Sequence, residues 1–322
     1  MLWLVLLQTT LAIATSGPAT SPEYLPLWVA QSEGYFAQEG LAVNLVPARA
    51  ETGAAEALAR GHAQLAATSL GAALLLGHVS NNPPKLVYGL TAAPPVVLLV
   101  AAARKDAIQT LADLVGRTVA VPAPGGPADF ALASMLARAD IPVTRLTVQS
   151  FGDRGAVGAI EAGRADAASL GDPYATRLIE DAQAVALADL RKRGEPERWL
   201  GGPTVYAGLF ARHDGAPPSA QLTALARALN RAVARIETAE PDDLRAKLPG
   251  SVVGTPQDFA IRLLGSRQIY LGDGVVTPDA LAAGIALVRN RLPIPDKVKI
   301  PRSVDKLLLM EPTAQAAEDR RR

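Results

Sequence analysis

Apolar residues fall along this chain in short blocks that alternate between strand-like and helix-like spacing. The first complete set runs from Thr10 to Pro47. Thr10 to Thr15 (TLAIAT) predicts a strand, and Ser21-Pro22 sets a hydroxyl before a proline suited to the first helical position. Leu25, Leu27, Trp28, Val29 and Ala30 then form an apolar helical face that Gly34 or Gly40 can stop. From Leu41 the chain reads LAVNLVP, an alternating strand pattern that completes a β-loop-α-β unit.

The same grammar continues. A short Ala/Leu helix from Ala54 ends at Gly61, a strand covers about Gln64 to Ala67, and Thr68-Ser69 can cap the next helix. Lys85 to Thr91 predicts a strand that Pro94-Pro95 breaks, and Val96 to Ala103 is a continuous apolar run suited to a buried strand. Leu111 to Gly116 and Arg117 to Val121 predict helix, turn and strand. A Gly/Pro-rich turn, Pro122 to Asp129, leads into an apolar helix from Phe130 to Arg138. Farther on, Thr204 to Ala211 reads as a strand and Ser219 to Glu237 as a long amphipathic helix. Shorter helices run from Pro256 to Leu264 and from Pro278 to about Arg291. The stretch holding Pro293, Pro295 and Pro301 reads as extended, and Glu318 to Arg322 as a charged, disordered tail.

One pattern occurs twice. Laid with Gly61 on Gly163, the segments Glu56–Ala73 and Gly158–Thr176 show a small-residue helix ending at glycine, a polar pair, an Ala-rich strand and a capped helix. His62-Ala63-Gln64 stands opposite Arg164-Ala165-Asp166, and Ser69-Leu70-Gly71 opposite Gly171-Asp172-Pro173. A repeat separated by about a hundred residues predicts two similar α/β lobes, since solenoid periods are roughly 20–50 residues.

Composition narrows the functional classes. The 322 residues allow two core-bearing units or one large α/β domain, and 49% hydrophobic with 20% charged residues describes a soluble globular chain. Only 4% are aromatic, so the cores are Ala, Leu and Val. A net charge of +1 provides no electrostatic footprint for nucleic acid. The absence of cysteine excludes disulfides, thiolate metal sites, a cysteine nucleophile and a lipid-bearing N-terminal cysteine. Met1 to Leu7 is apolar, too short to span a bilayer and not preceded by lysine or arginine. Ala12-Ile13-Ala14 has the small residues of a signal-cleavage site, but cutting there would remove the first predicted strand, so a truncated or atypical export signal is implied only by the family resemblance given below.

Signatures of chemistry are missing: there is no G-x-S-x-G, H-E-x-x-H, Walker A or G-x-G-x-x-G sequence. His62, His78 and His213 lack metal-ligand spacing, and the first two follow glycines at predicted helix ends, where they complement the dipole. Asp129 and Asp172 stand in first turns, where acids cap helices far more often than they act as general bases. No catalytic residue, metal or cofactor is expected. What recurs is a strand, a small turn and a helix start, at Ser16–Tyr24, Glu51–Gly53, Thr68–Gly71, Gly125–Asp129, Gly152–Gly155 and Asp172–Tyr174. In a parallel α/β sheet such turns gather at one edge, where helix N-termini favour an anion. Arg49, Arg154 and Arg212 near strand ends are candidates to add a full charge.

A family resemblance rests on motifs in order: Tyr24, Pro26, Gly34-Tyr35-Phe36 and Glu39-Gly40-Leu41, then L-A-D-L-x-G-R-T-V-A-V-P at Leu111–Pro122. A-I-E-A-G-R-A-D-A at Ala159–Ala167 and D-P-Y-A at Asp172–Ala175 follow. From roughly Thr10 to Leu309, thinning after Arg212, the chain resembles bacterial solute-binding proteins for aliphatic sulfonates, nitrate and taurine. They form part of a thiamine-pyrimidine-synthase-like family. The resemblance implies an α/β two-lobe periplasmic-binding-protein (type II, Venus-flytrap) fold, each lobe a mostly parallel sheet flanked by helices. Lobe I would be residues 1–93 and 206–322, and lobe II residues 94–205. It further implies a monomeric, non-enzymatic, periplasmic protein that closes on a small organic anion and delivers it to an ABC permease. A sulfonate is expected ahead of a carboxylate, with nitrate third.

On that reading the ligand contacts are Ser16, Tyr24, Thr68, Ser69, Gly125, Gly126, Asp172 and Tyr174. Hydroxyls and turn amides would hold its polar atoms, and the two tyrosines would wall its apolar part. Gln64 departs from the family, which usually has aspartate there. Two rivals remain. One is a thiamine-pyrimidine-precursor binding protein or synthase-like enzyme, whose cysteine-rich motif this chain lacks. The other is the ligand-sensing domain of a transcription regulator, which would need a helix-turn-helix before Thr10.

Overall fold

The computed structural model describes residues 10–48, 50–76, 83–291 and 304–321. Met1–Leu7, Arg49, His78 and the prolines Pro293, Pro295 and Pro301 lie outside the described residues. Among the described residues ten strands are formed: β1 (Leu11–Ser16), β2 (Val43–Ala48), β3 (Leu65–Ser69), β4 (Lys85–Thr91), β5 (Val96–Ala101), β6 (Thr118–Val121), β7 (Thr147–Ser150), β8 (Ala167–Gly171), β9 (Ala184–Asp189) and β10 (Ala207–Ala211). They make two five-stranded sheets, ordered β2-β1-β3-β10-β4 and β7-β6-β8-β5-β9. Helices pack on both, giving two lobes of one design.

The likeness of the lobes extends to single hydrogen bonds. In each sheet the first three strands are parallel and the fourth runs antiparallel between its neighbours. That fourth strand, β10 or β5, is in each case the first one laid down after the chain crosses from the other lobe. Gly61 and Gly163 both adopt positive φ. Gln64 Oε1 accepts from the Ala12 amide at 2.8 Å, and Asp166 Oδ2 accepts from the Thr118 amide at 3.0 Å. Either side chain therefore ties the start of one strand to its neighbour. The strand tie at residue 64 needs only an acceptor, which glutamine supplies, whereas Asp166 also pairs with Arg104 at 2.9 Å.

Burial follows strand position. β5 (VVLLVA) is buried along its whole length, as a continuous apolar run in a central strand requires. The outer strands β2 and β7 are largely half-buried or exposed and carry polar residues. β7, β9 and the helix Glu195–Leu200 were not anticipated from the sequence. The first lobe's core joins Ile13, Leu27, Leu65, Tyr88 and Phe210 to Leu225, Leu229 and Val233 of the long helix Ser219–Thr238.

Two expectations change. Glu318 to Arg321 is not a disordered tail, because a helix covers Glu311–Arg321. It docks through buried Thr313, Ala316 and Ala317, and the Thr313 hydroxyl donates to the Val87 carbonyl at 2.6 Å. Gly34 and Gly40 also share a task given to one or the other: Gly34 ends Leu25–Ser32, and Gly40 follows the short helix Tyr35–Gln38.

The chain passes between the sheets twice, between Thr91 and Val96 and again between Asp189 and Ala207. The crossings touch, since the Tyr206 amide donates to the Thr91 carbonyl at 2.9 Å. Farther along, Gly265 of the helix Pro256–Ser266 lies so close to Asp172 and Arg191 of the second lobe that a Cβ there would overlap the Asp172 carboxylate.

Candidate functional site

Between the lobes lies a cavity of about 410 Å³. The strand-to-helix turns supply its walls, because parallel strands deliver those turns to one sheet edge. From the first lobe come the turn after β1, with Glu23 and Tyr24, and Glu51 after β2; Asp258 and Arg262 project from the helix Pro256–Ser266. The second lobe contributes Pro122 to Ala128 after β6, Asp153 after β7 and Gly171 to Tyr174 after β8. A smaller void of about 30 Å³ adjoins Glu51, Ser69, Gly125 and the Phe130–Tyr206 ring pair, whose centroids are 5.5 Å apart.

Of the eight residues expected at the ligand, Tyr24, Gly126, Asp172 and Tyr174 line the larger cavity, and Ser69 and Gly125 line the smaller. Ser16 and Thr68 line neither. The Ser16 hydroxyl donates to Thr68 Oγ1 at 2.9 Å, and the two residues are 1% and 0% exposed. Other groups expected to greet a ligand are used by the fold itself. The Gly125 amide donates to Asp129 Oδ2 at 2.7 Å, and Ser69 Oγ accepts from the Ala72 amide at 3.3 Å as a helix cap. Asp172 accepts from the Thr176 amide at 3.1 Å and from Arg191 Nη1 at 2.6 Å, with Arg191 also held by Asp189 at 2.8 Å. Its two oxygens are thus committed to a cap and a buried ion pair.

The charges at the site are mostly negative. Neither Arg154 nor Arg212 lines the cavity, and Arg212 pairs with Asp214 at 3.1 Å. The arginine that does line it, Arg262, donates to the Val253 carbonyl at 2.6 Å at the end of the helix Gly250–Val253. Asp258 is paired with Arg177 of the second lobe. That leaves Glu23, Glu51 and, at the exposed rim, Asp153 as lining carboxylates with no salt bridge among the described residues.

Glu23 is the least expected of these. The proline at the first position of Pro22–Tyr24 turns the chain inward and leaves Glu23 only 6% exposed. Burial raises its carboxyl from 4.5 to about 7; Glu51 adds to the rise, and a bond from its own backbone amide opposes it. Burial raises Glu51 too, against the hydroxyl of Ser69. Tyr24, Tyr206 and Tyr270 are pushed well above the usual phenol range, first by burial and then by these carboxylates. An acid in a first turn reads from sequence as a helix-dipole partner, so nothing but its burial marks Glu23 as part of a site.

Comparison with known proteins places the fold. The family model described as NMT1/THI5 like matches residues 21–195, more than half of the chain. No curated protein sequence matches. Among solved structures, a protein from Bordetella bronchiseptica RB50 is similar at 25% identity and a TM-score of 0.73, covering 97% of this chain and 98% of that one. The periplasmic aliphatic sulphonate binding protein SsuA from Escherichia coli is similar at 20% identity and a TM-score of 0.70, covering 91% and 96%. The periplasmic nitrate-binding protein NrtA from Synechocystis PCC 6803 follows at 13% identity and 0.63, covering 97% and 89%. The fold is that of the periplasmic binding proteins.

Proposed function

The chain belongs to the NMT1/THI5-like family, and from that membership and the cleft we propose that it is the solute-binding component of an ABC importer rather than an enzyme. It would hold a small polar organic solute between its lobes in the periplasm, as a monomer, and pass it to a membrane permease. The observation that carries this reading is the placement of the 410 Å³ cavity, walled by turns from both lobes of a chain that crosses between them twice. Lobes of this kind close by rigid-body bending about such crossings, with ligand contacts stabilising the closed state. The lobe boundaries that follow are residues 1–93 with 206–322, and 94–205. Among the described residues no helix is long and apolar enough to cross a membrane. Tyr24 and Tyr174 wall the apolar part of the solute, and Gly126 lets the chain approach it. The anion expected from the strand-to-helix turns gives way in our reading, because turn amides that would hold it are spent within the fold.

The experiment is a thermal-shift screen over cationic, neutral and anionic small molecules, followed by small-angle scattering with the best binder. The particle should become more compact at unchanged mass. Identical scattering profiles with and without a proven binder would remove the closing mechanism.

A further inference from the structure

We propose that the solute carries a positively charged nitrogen, as a protonated amine, amidine or guanidine, and that Glu23 and Glu51 receive it. The inference rests on the reading of this cleft as the solute site. Its first support is the inventory of the wall, which carries Glu23, Glu51, Asp153, Asp172 and Asp258 against Arg262. Asp172 and Asp258 are matched by Arg191 and Arg177, and Arg262 has its guanidinium on a helix-end carbonyl. Among the described residues no salt bridge pairs the remaining carboxylates.

The second support is independent of the count. Glu23 is only 6% exposed, borders the cavity and takes its own backbone amide as hydrogen-bond partner. A carboxylate buried with no partner among the described residues but its own backbone amide is costly to ionise, and a cationic ligand would complete it. The titratable groups coupled to it are Glu51 and the phenols Tyr24, Tyr206 and Tyr270, and the helix Pro256–Ser266 packed on its turn adds Asp258, paired with Arg177, and Arg262, whose guanidinium is held on the Val253 carbonyl. The Tyr270 hydroxyl is turned away, donating to the Pro22 carbonyl at 2.7 Å. Tyr24 and Tyr174 add aromatic faces, which favour a desolvated cation over an anion.

A cation and an anion make opposite demands on the Glu23 proton. A bound cation is complemented by the carboxylate, so binding releases a proton to solvent and tightens as the pH rises. An anion needs the protonated carboxyl as a donor, so its binding weakens over the same interval.

The test uses three probes of one shape on the full chain: benzamidinium, benzyl alcohol and benzenesulfonate, by titration calorimetry at several pH values. Benzamidinium should bind best, with affinity rising about tenfold between about pH 6 and pH 8 and levelling above. Glu23→Gln should weaken it at least about tenfold at high pH and flatten the pH dependence to what Glu51 alone contributes, while Glu23→Asp retains the sign of the full dependence. The inference is overturned if benzenesulfonate or benzyl alcohol binds more tightly, if affinity for the cation falls with rising pH, or if benzamidinium does not bind. A cation that binds without compacting the particle upholds this inference and removes the transport reading. A sulfonate that binds and compacts it does the reverse.

Discussion

Glu23 should lower the stability of the ligand-free protein as pH rises, and the size of that effect follows from its burial. The folded carboxyl holds its proton up to about 7, while the unfolded chain releases it near 4.5. Between those values the folded state binds more protons than the unfolded one. Stability contributed by this group is therefore greatest below the unfolded value and is lost as pH climbs to the folded one. At about 1.4 kcal/mol per unit the loss amounts to about 3 kcal/mol. Glu23→Gln keeps the shape and has no proton to lose. Urea unfolding of both proteins at about pH 4.5, 6 and 8 isolates the term, because Glu51 and the tyrosines are common to both. The variant should gain about 3 kcal/mol on the parent between the first and last pH, equivalent to several degrees in melting temperature. Parallel stability curves for the two proteins would refute the claim that Glu23 is buried and protonated.

Two further substitutions probe how the lobes are held. Asp172→Ala removes both a cap and a partner of buried Arg191, and should cost about 3 kcal/mol in urea unfolding; Asp172→Asn keeps the acceptor for the Thr176 amide and should cost less. Equal losses from both would show that the cap contributes nothing. Gly265→Ala drives a methyl group toward the Asp172 carboxylate across the lobe boundary and should cost roughly 1–3 kcal/mol. It should also reduce the compaction that a bound solute produces in scattering, and an unchanged profile would mean that the helix Pro256–Ser266 yields without moving the lobe.

Much of the fold was legible because breakers and periodicity agree. Lys85 to Thr91 and Pro278 to Arg291 form where Pro and Gly punctuation placed them. The repeat was legible through Gly61 and Gly163, since both positions require positive φ and so restrict the residue. Edge strand β7 (TVQS) escaped because it is short and mostly exposed, so no apolar alternation marks it. The helix Glu311–Arg321 escaped for a similar reason: it buries a proline, a threonine and two alanines rather than a leucine stripe. At the site, the sequence marks which residues stand in turns but not which donors the fold consumes. Ser16, Thr68, Ser69 and Gly125 look available until their internal partners are seen, whereas Glu23 looks like a surface acid until it is found buried.

The position of β4 has a consequence for how the molecule is made. Within its sheet β4 pairs with β10 alone, and its other flank is met by Leu308 and Leu309, with Tyr270 and Leu271 at its end. All of these emerge from the ribosome after the entire second sheet. The second lobe is written in one uninterrupted stretch and can assemble as soon as it is synthesised. Lys85–Thr91 must wait with bare, apolar edges, an open template for another chain. Until Leu308 and Leu309 have been made that edge stays open, and a chain cut short before Leu308 would carry it for good.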